Sequence, residues 1–192
     1  MTYRLPHLAS QQQIESWAST YSTRAELPNL VRRLVRATVP TVEELTMPGD
    51  EHVDLNGYDG IVSSPLQTPF VPLGRSVWEF GTSGEPQDKA NKDYRTRTKN
   101  SLGIDKANTT FVFVTPRRWS GAAKWAAKKA ALGEWKNVVV RASADLYAAL
   151  EDSPRTHIWF SEQLGIPSNG VSTLSNWWDR YTAGTRGLIT PE

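Results

Sequence analysis

Gly57-Tyr58-Asp59-Gly60-Ile61-Val62 and, after a proline-rich link, Ser76-Val77-Trp78-Glu79-Phe80-Gly81-Thr82-Ser83 make up the stretch whose reading decides the fold. It closes with Lys89-Ala90-Asn91-Lys92-Asp93-Tyr94-Arg95-Thr96-Arg97-Thr98. Residues 76–80 are a short β-prone run with a carboxylate set between two aromatics. Side chains alternate along a strand, so Trp78 and Phe80 take one face, and Glu79 takes the other with Val77 and Gly81. Residues 59–63 predict a strand entered through a turn, and residues 64–74 an extended connection or hairpin loop. Residues 87–99 are polar with no internal Gly or Pro, which predicts a helix that sets Lys89, Lys92 and Asp93 on one side. An acid ahead of one strand, an acid inside the next and a lysine on the following helix together suit a divalent metal and a phosphate.

Working outward, residues 109–115 (Thr-Thr-Phe-Val-Phe-Val-Thr) carry the clearest strand signal, an apolar run that stops at Pro116. Unbroken apolarity predicts a central strand covered on both faces. Residues 121–132 predict an Ala- and Lys-rich helix and Val138-Val139-Val140 a further buried strand. Residues 142–151 predict a helix capped by Ser143, with Leu146 and Leu150 inward. Upstream, residues 9–18 predict a short helix around Ile14 and Trp17. Thr23 is the expected N-cap of a stronger one, with Glu26 completing a capping box. Leu27, Leu30, Val31, Leu34 and Val35 recur at helical spacing, Pro28 falls in the tolerant first turn, and Pro40 ends the run. Arg32, Arg33 and Arg36 read as a solvated surface of that helix.

Strands alternating with helices predict an α/β fold, a mixed central sheet flanked by helices. Residues 1–153 read as that domain. Residues 154–192, with Trp159, Phe160, Trp177, Trp178 and Tyr181, read as a Trp-rich helical extension in which Thr173 caps a second helix. The open-ended tail suggests a chain cut from a longer protein, the extension leading to a further module.

The chain has 192 residues, eight of them Trp, and a formal net charge of only +2, so whole-molecule charge says little about partners. The distribution says more, since Arg117, Arg118, Lys124, Lys128, Lys129, Lys136 and Arg141 face one intervening acid, Glu134. Such a run suits a polyanion or a solvated helix face. With no cysteine and three scattered histidines, thiolate sites and thiol nucleophiles are excluded, and any metal is a hard cation on oxygen ligands. No charged-then-apolar leader and no membrane-length apolar run is present in the sequence, so a cytoplasmic protein without a membrane partner is expected.

The segments quoted first, together with Val71-Pro72-Leu73-Gly74-Arg75, Phe111-Val112-Phe113-Val114-Thr115-Pro116-Arg117-Arg118-Trp119 and Trp177-Trp178, resemble a bacterial N-terminal module. They look like the restriction-endonuclease-like (PD-(D/E)XK) domains found in front of NTP-binding modules of large defence-type proteins. The likeness spans roughly residues 40–185. It implies a metal-dependent DNA endonuclease, the effector module of an anti-phage defence protein. Asp59, Glu79 and the Phe80 carbonyl would hold Mg²⁺ or Mn²⁺, with Glu44 as a third acid. The family's lysine stands two residues after the second acid, where this chain has Gly81. Members that carry it on the following helix make Lys89 the stand-in and Lys92 the second choice. Lys92, Arg95, Arg97, Arg117, Arg118 and Lys124 become the nucleic-acid contacts. Double-stranded DNA, a C-terminal NTPase or sensor module and a second copy of the chain become the partners. Trp119 and Tyr94 read as packing residues. A domain that kept the fold without the lysine would instead bind nucleic acid or protein without cutting.

Overall fold

An apolar run with helices over both of its faces leaves no residue of a strand in water, and residues 110–114 are all buried. In the computed structural model of the chain, described over residues 8–48 and 57–166 and at Leu174, Trp178, Tyr181 and Thr182, the strands are β1 (Glu44–Thr46), β2 (Gly60–Ser64), β3 (Gly74–Phe80), β4 (Thr110–Val114) and β5 (Asn137–Arg141). They form one sheet in the order β1-β2-β3-β4-β5. The first three pair antiparallel, while β4 runs parallel to β3 and β5 parallel to β4. The middle strand is thus β3, and β4 lies one place off centre. β1 has no counterpart in the sequence prediction because its three residues carry one apolar side chain, Leu45, too little for a periodic signal.

The helices are α1 (Gln11–Trp17), α2 (Thr23–Thr38), α3 (Pro86–Lys99), α4 (Ala122–Ala130), α5 (Ser143–Glu151) and α6 (Pro154–Gln163). One sheet face buries Val62, Trp78, Val112 and Val114 against Leu30, Leu34, Leu146, Leu150 and Phe160, from α2, α5 and α6. The other buries Val77, Phe111, Phe113, Val138 and Val140 against Ala90, Tyr94 and Trp125, from α3 and α4. The alternation Val77/Trp78 and Phe111/Val112 is what feeds the two cores.

Helix starts differ from the expectation in instructive ways. The capping box forms at α1, where the Ser10 N–H donates to Gln13 Oε1 at 2.8 Å. At α2 the N-cap is Ser22 without a side-chain bond, and Thr23 is the first helical residue. Glu26, the expected box partner, instead accepts from Trp17 Nε1 at 2.9 Å, a tertiary contact that outcompetes the local one. At α5, Ser143 is inside the helix, and Asp145 accepts the Ala142 N–H at 2.8 Å. Arg33 stacks on the Trp159 ring at 4.2 Å, so one of the three arginines read as a solvated surface serves packing. α6, the start of the expected extension, shares the main core: Phe160 meets Trp17 edge-on at 5.0 Å, and Ser161 Oγ accepts the Ala9 N–H at 2.9 Å. Trp178 and Tyr181 are helical and exposed with rings 6.0 Å apart, whereas Thr173 and Trp177 lie outside the described residues. Among the described residues no helix is long and apolar enough to cross a membrane.

Candidate functional site

β2 runs antiparallel to β3, so the turn that enters β2 lies beside the carboxyl end of β3. Gly60 pairs with Trp78, so the register carried one residue further sets Asp59 opposite Glu79. Asp59 Oδ2 accepts the Phe80 N–H at 2.6 Å, which ties the turn before β2 to the end of β3. Glu79 is only 3% exposed and points to the α3 side of the sheet, as the strand alternation predicts.

α3 answers these acids with a row four residues apart: Lys89, Asp93 and Arg97. Lys89 Nζ donates to Asp93 Oδ1 at 2.8 Å, and the other oxygen, Asp93 Oδ2, is buried without a partner. Arg97 reaches back to give its Nε–H to Glu79 Oε1 and an Nη2–H to the Gly57 carbonyl. Its guanidinium lies 4.8 Å over the Tyr58 ring, whose hydroxyl donates to the Ser101 carbonyl at 3.1 Å.

Position 81 is crowded, which suits glycine. A Cβ there would come within 2.5 Å of Phe113 Cζ and 2.9 Å of Lys89 Cγ. The stem of Lys89 therefore lies against position 81. Lys92, the second choice, is exposed.

The electrostatics are strained in one direction. Three carboxylates, Asp59, Glu79 and Asp93, share a half-closed space with two cations, Lys89 and Arg97. Burial, reinforced by the charge of Asp59, pushes Glu79 from 4.5 up to about 8 despite Arg97. Burial also raises Asp59, opposed by the Phe80 N–H, and raises Asp93, opposed by Lys89. A cleft of about 310 Å³ opens onto Asp59 and Lys89 between Arg24, Pro28, Phe80, Thr82 and Ser83. Glu79 does not line it; it sits behind, under Arg97.

The remaining predicted residues divide. Glu44 is not brought to the acids: it pairs with Ser63, four register positions from Asp59, and sits 3.6 Å from Arg75. Arg97 is turned inward onto Glu79 and is not a surface contact for a phosphate. Arg117 is tied down, its Nε–H donating to the Thr82 carbonyl at 3.0 Å and Nη1–H to Ser19 Oγ at 2.7 Å. Lys92, Arg95, Arg118 and Lys124 are exposed. Trp119 packs 6.1 Å from Phe113 and 5.5 Å from Trp125, and Tyr94 is buried, so both are packing residues as expected. Sequence reasoning set Asp93 on the side of α3 that carries Lys89 but gave it no role in the site. Its i+4 spacing from Lys89 was a usable signal, but a Lys–Asp pair on a polar helix also describes a solvated face. Arg24, at the rim of the cleft, carried no signal at all.

Among the described residues no three histidine, Asp or Glu side chains are arranged as a ready-made metal shell. Two carboxylates and a carbonyl suit a cation that keeps several waters, as Mg²⁺ does. Asp93 Oδ2 is left buried without a hydrogen-bond partner beside this cluster. No protein-family model, curated protein or solved structure matches the chain.

Proposed function

We propose that the chain is a restriction-endonuclease-like, metal-dependent nuclease module that hydrolyses phosphodiester bonds in DNA. The observation that carries this reading is the meeting of Lys89 with Gly81, where the motif lysine would stand, in a cleft that Asp59 also lines. The α/β sheet with its mixed pairing is compatible with such a module. The fit of a cation rests on the half-buried Asp59 and the buried Glu79 and Asp93 lying near one another, and on the unpartnered Asp93 Oδ2.

Asp59 and Glu79, with the Phe80 carbonyl, would hold Mg²⁺ or Mn²⁺, which supplies a more acidic bound water and neutralises charge on a phosphate. The chain's own groups set the stage for that chemistry. The Phe80 N–H fixes one Asp59 oxygen and leaves the other toward the cleft. Lys89, anchored by Asp93, holds an ammonium at the cleft where a phosphate oxygen gains charge. Arg97 pairs with Glu79, so a metal held by Glu79 would have to compete with that guanidinium. By the same resemblance the module would serve as the effector of a larger defence protein, joined to an NTPase or sensor module and active as an oligomer.

One observation favours a second reading, a module that binds without cutting: Glu79 is already paired with Arg97 and does not face the cleft. Plasmid nicking in Mg²⁺ and in Mn²⁺, with wild type, Glu79→Ala and Lys89→Ala side by side, separates the two. Cutting that both substitutions abolish supports the nuclease. Cutting that survives Glu79→Ala refutes the site, and DNA binding without cutting in either metal favours the second reading.

A further inference from the structure

The outward side of α3 carries a second polar row. Arg95 and Lys99 stand two residues on from Asp93 and Arg97, about 200° around the helix, so they face away from the acid cluster. With Lys106 and Lys129 they line an open groove of about 600 Å³ between α3, the short turn Lys106–Asn108 and the end of α4. The acid lining it, Glu134, accepts the Tyr94 hydroxyl at 2.8 Å, so that carboxylate is already engaged. Lys106 is held in place by donating to the Thr98 carbonyl at 2.9 Å. Lys129 lies 4.8 Å over the Tyr94 ring, which is thereby covered and offers no open face on which a base could stack. Four cations from three elements, with no exposed aromatic platform, match a phosphate backbone and not a nucleoside.

We propose that this groove is a second nucleic-acid surface, which takes the phosphodiester backbone of DNA without reading bases. It rests on the nuclease reading only in naming DNA as the polyanion, and it is tested by binding in the absence of metal, so its failure and that of the cleavage site are separate results.

The experiment is fluorescence anisotropy of a labelled DNA duplex with the full chain in EDTA, over a series of salt concentrations. The test variant is Arg95→Ala/Lys99→Ala/Lys106→Ala. Its charge-matched control is Arg36→Ala/Lys128→Ala/Arg155→Ala, all exposed positions elsewhere. The groove variant is expected to bind at least about tenfold more weakly, with a log–log salt slope shallower by about one per lysine or arginine removed. The control stays within about threefold of wild type on the same scale. Since Lys106 also supports Thr98, the charge-keeping variant Arg95→Lys/Lys99→Arg/Lys106→Arg is measured too, and it restores binding if charge is what matters. An equal loss in groove and control variants, an unchanged groove variant, or no recovery on restoring charge in a folded protein overturns the proposal.

Discussion

The two faces of β3 solve opposite problems. On one, Trp78 is fully buried among Phe70, Leu34 and Leu150, and its single polar atom is satisfied by Ser76 Oγ at 2.9 Å. On the other, one residue along, Glu79 is nearly as deeply buried, yet its surroundings are Arg97, Asp59 and Asp93. The first face is dry and closed, and every contact in it serves stability. The second buries a carboxyl among charged groups, which raises its proton affinity and costs stability wherever the carboxyl must ionise. A purely structural domain would gain by replacing the Glu79–Arg97 pair with apolar residues continuous with Val77 and Phe113.

The largest expected effect lies on the dry face. Trp78→Ala costs about 3–5 kcal/mol from lost burial and the cavity left behind, read as a shift in the urea midpoint. Glu79→Gln, at the neighbouring position, costs less than about 1 kcal/mol in metal-free protein at neutral pH, because the site already favours the neutral form of that side chain. If both cost the same, the contrast between the faces is wrong.

The second effect is a pH dependence. Glu79 holds its proton more tightly folded than unfolded, so its contribution is fully present below 4.5 and is lost as pH rises toward 8. Metal-free wild type should therefore lose stability across that window, on the order of a few kcal/mol, and Glu79→Gln should flatten the curve. Thermal melts in EDTA at several pH values check this. A profile that the substitution leaves unchanged would assign the slope to other groups.

Two smaller effects follow on α3. Lys89→Ala strips Asp93 of its one partner and costs about 1–2 kcal/mol, most of which Asp93→Asn in the same chain recovers. Tyr94→Phe removes the hydroxyl bond to Glu134 and costs about 1 kcal/mol or less, measured the same way.

How much of this was legible in the sequence follows the range of the interactions. Period-two alternation through Val77, Trp78 and Glu79 assigned each to its face, and the unbroken run at Phe111–Val114 marked a strand covered twice. Those signals are local. The pairing of Arg97 with Glu79 spans 18 residues and that with the Gly57 carbonyl 40, so nothing in the helix itself showed that Arg97 turns inward. The role of Asp93 was hidden for a related reason. α3 buries a stripe of Ala90, Asp93 and Tyr94 that is half polar, and a half-polar stripe on a polar helix reads as solvent-facing. Arg117 looked like a surface cation, yet its guanidinium closes a gap between two loops. Glu44 failed because strand register, not distance along the chain, decides which carboxylates meet.

The central claim is that the Glu79 face lacks positive charge which a dication supplies. The direct measurement is the melting temperature of wild type and Glu79→Ala with and without Mg²⁺ near pH 8. The account predicts that Mg²⁺ raises the wild-type midpoint and leaves that of Glu79→Ala where it was. A rise of equal size in both proteins, or none in wild type, would contradict it.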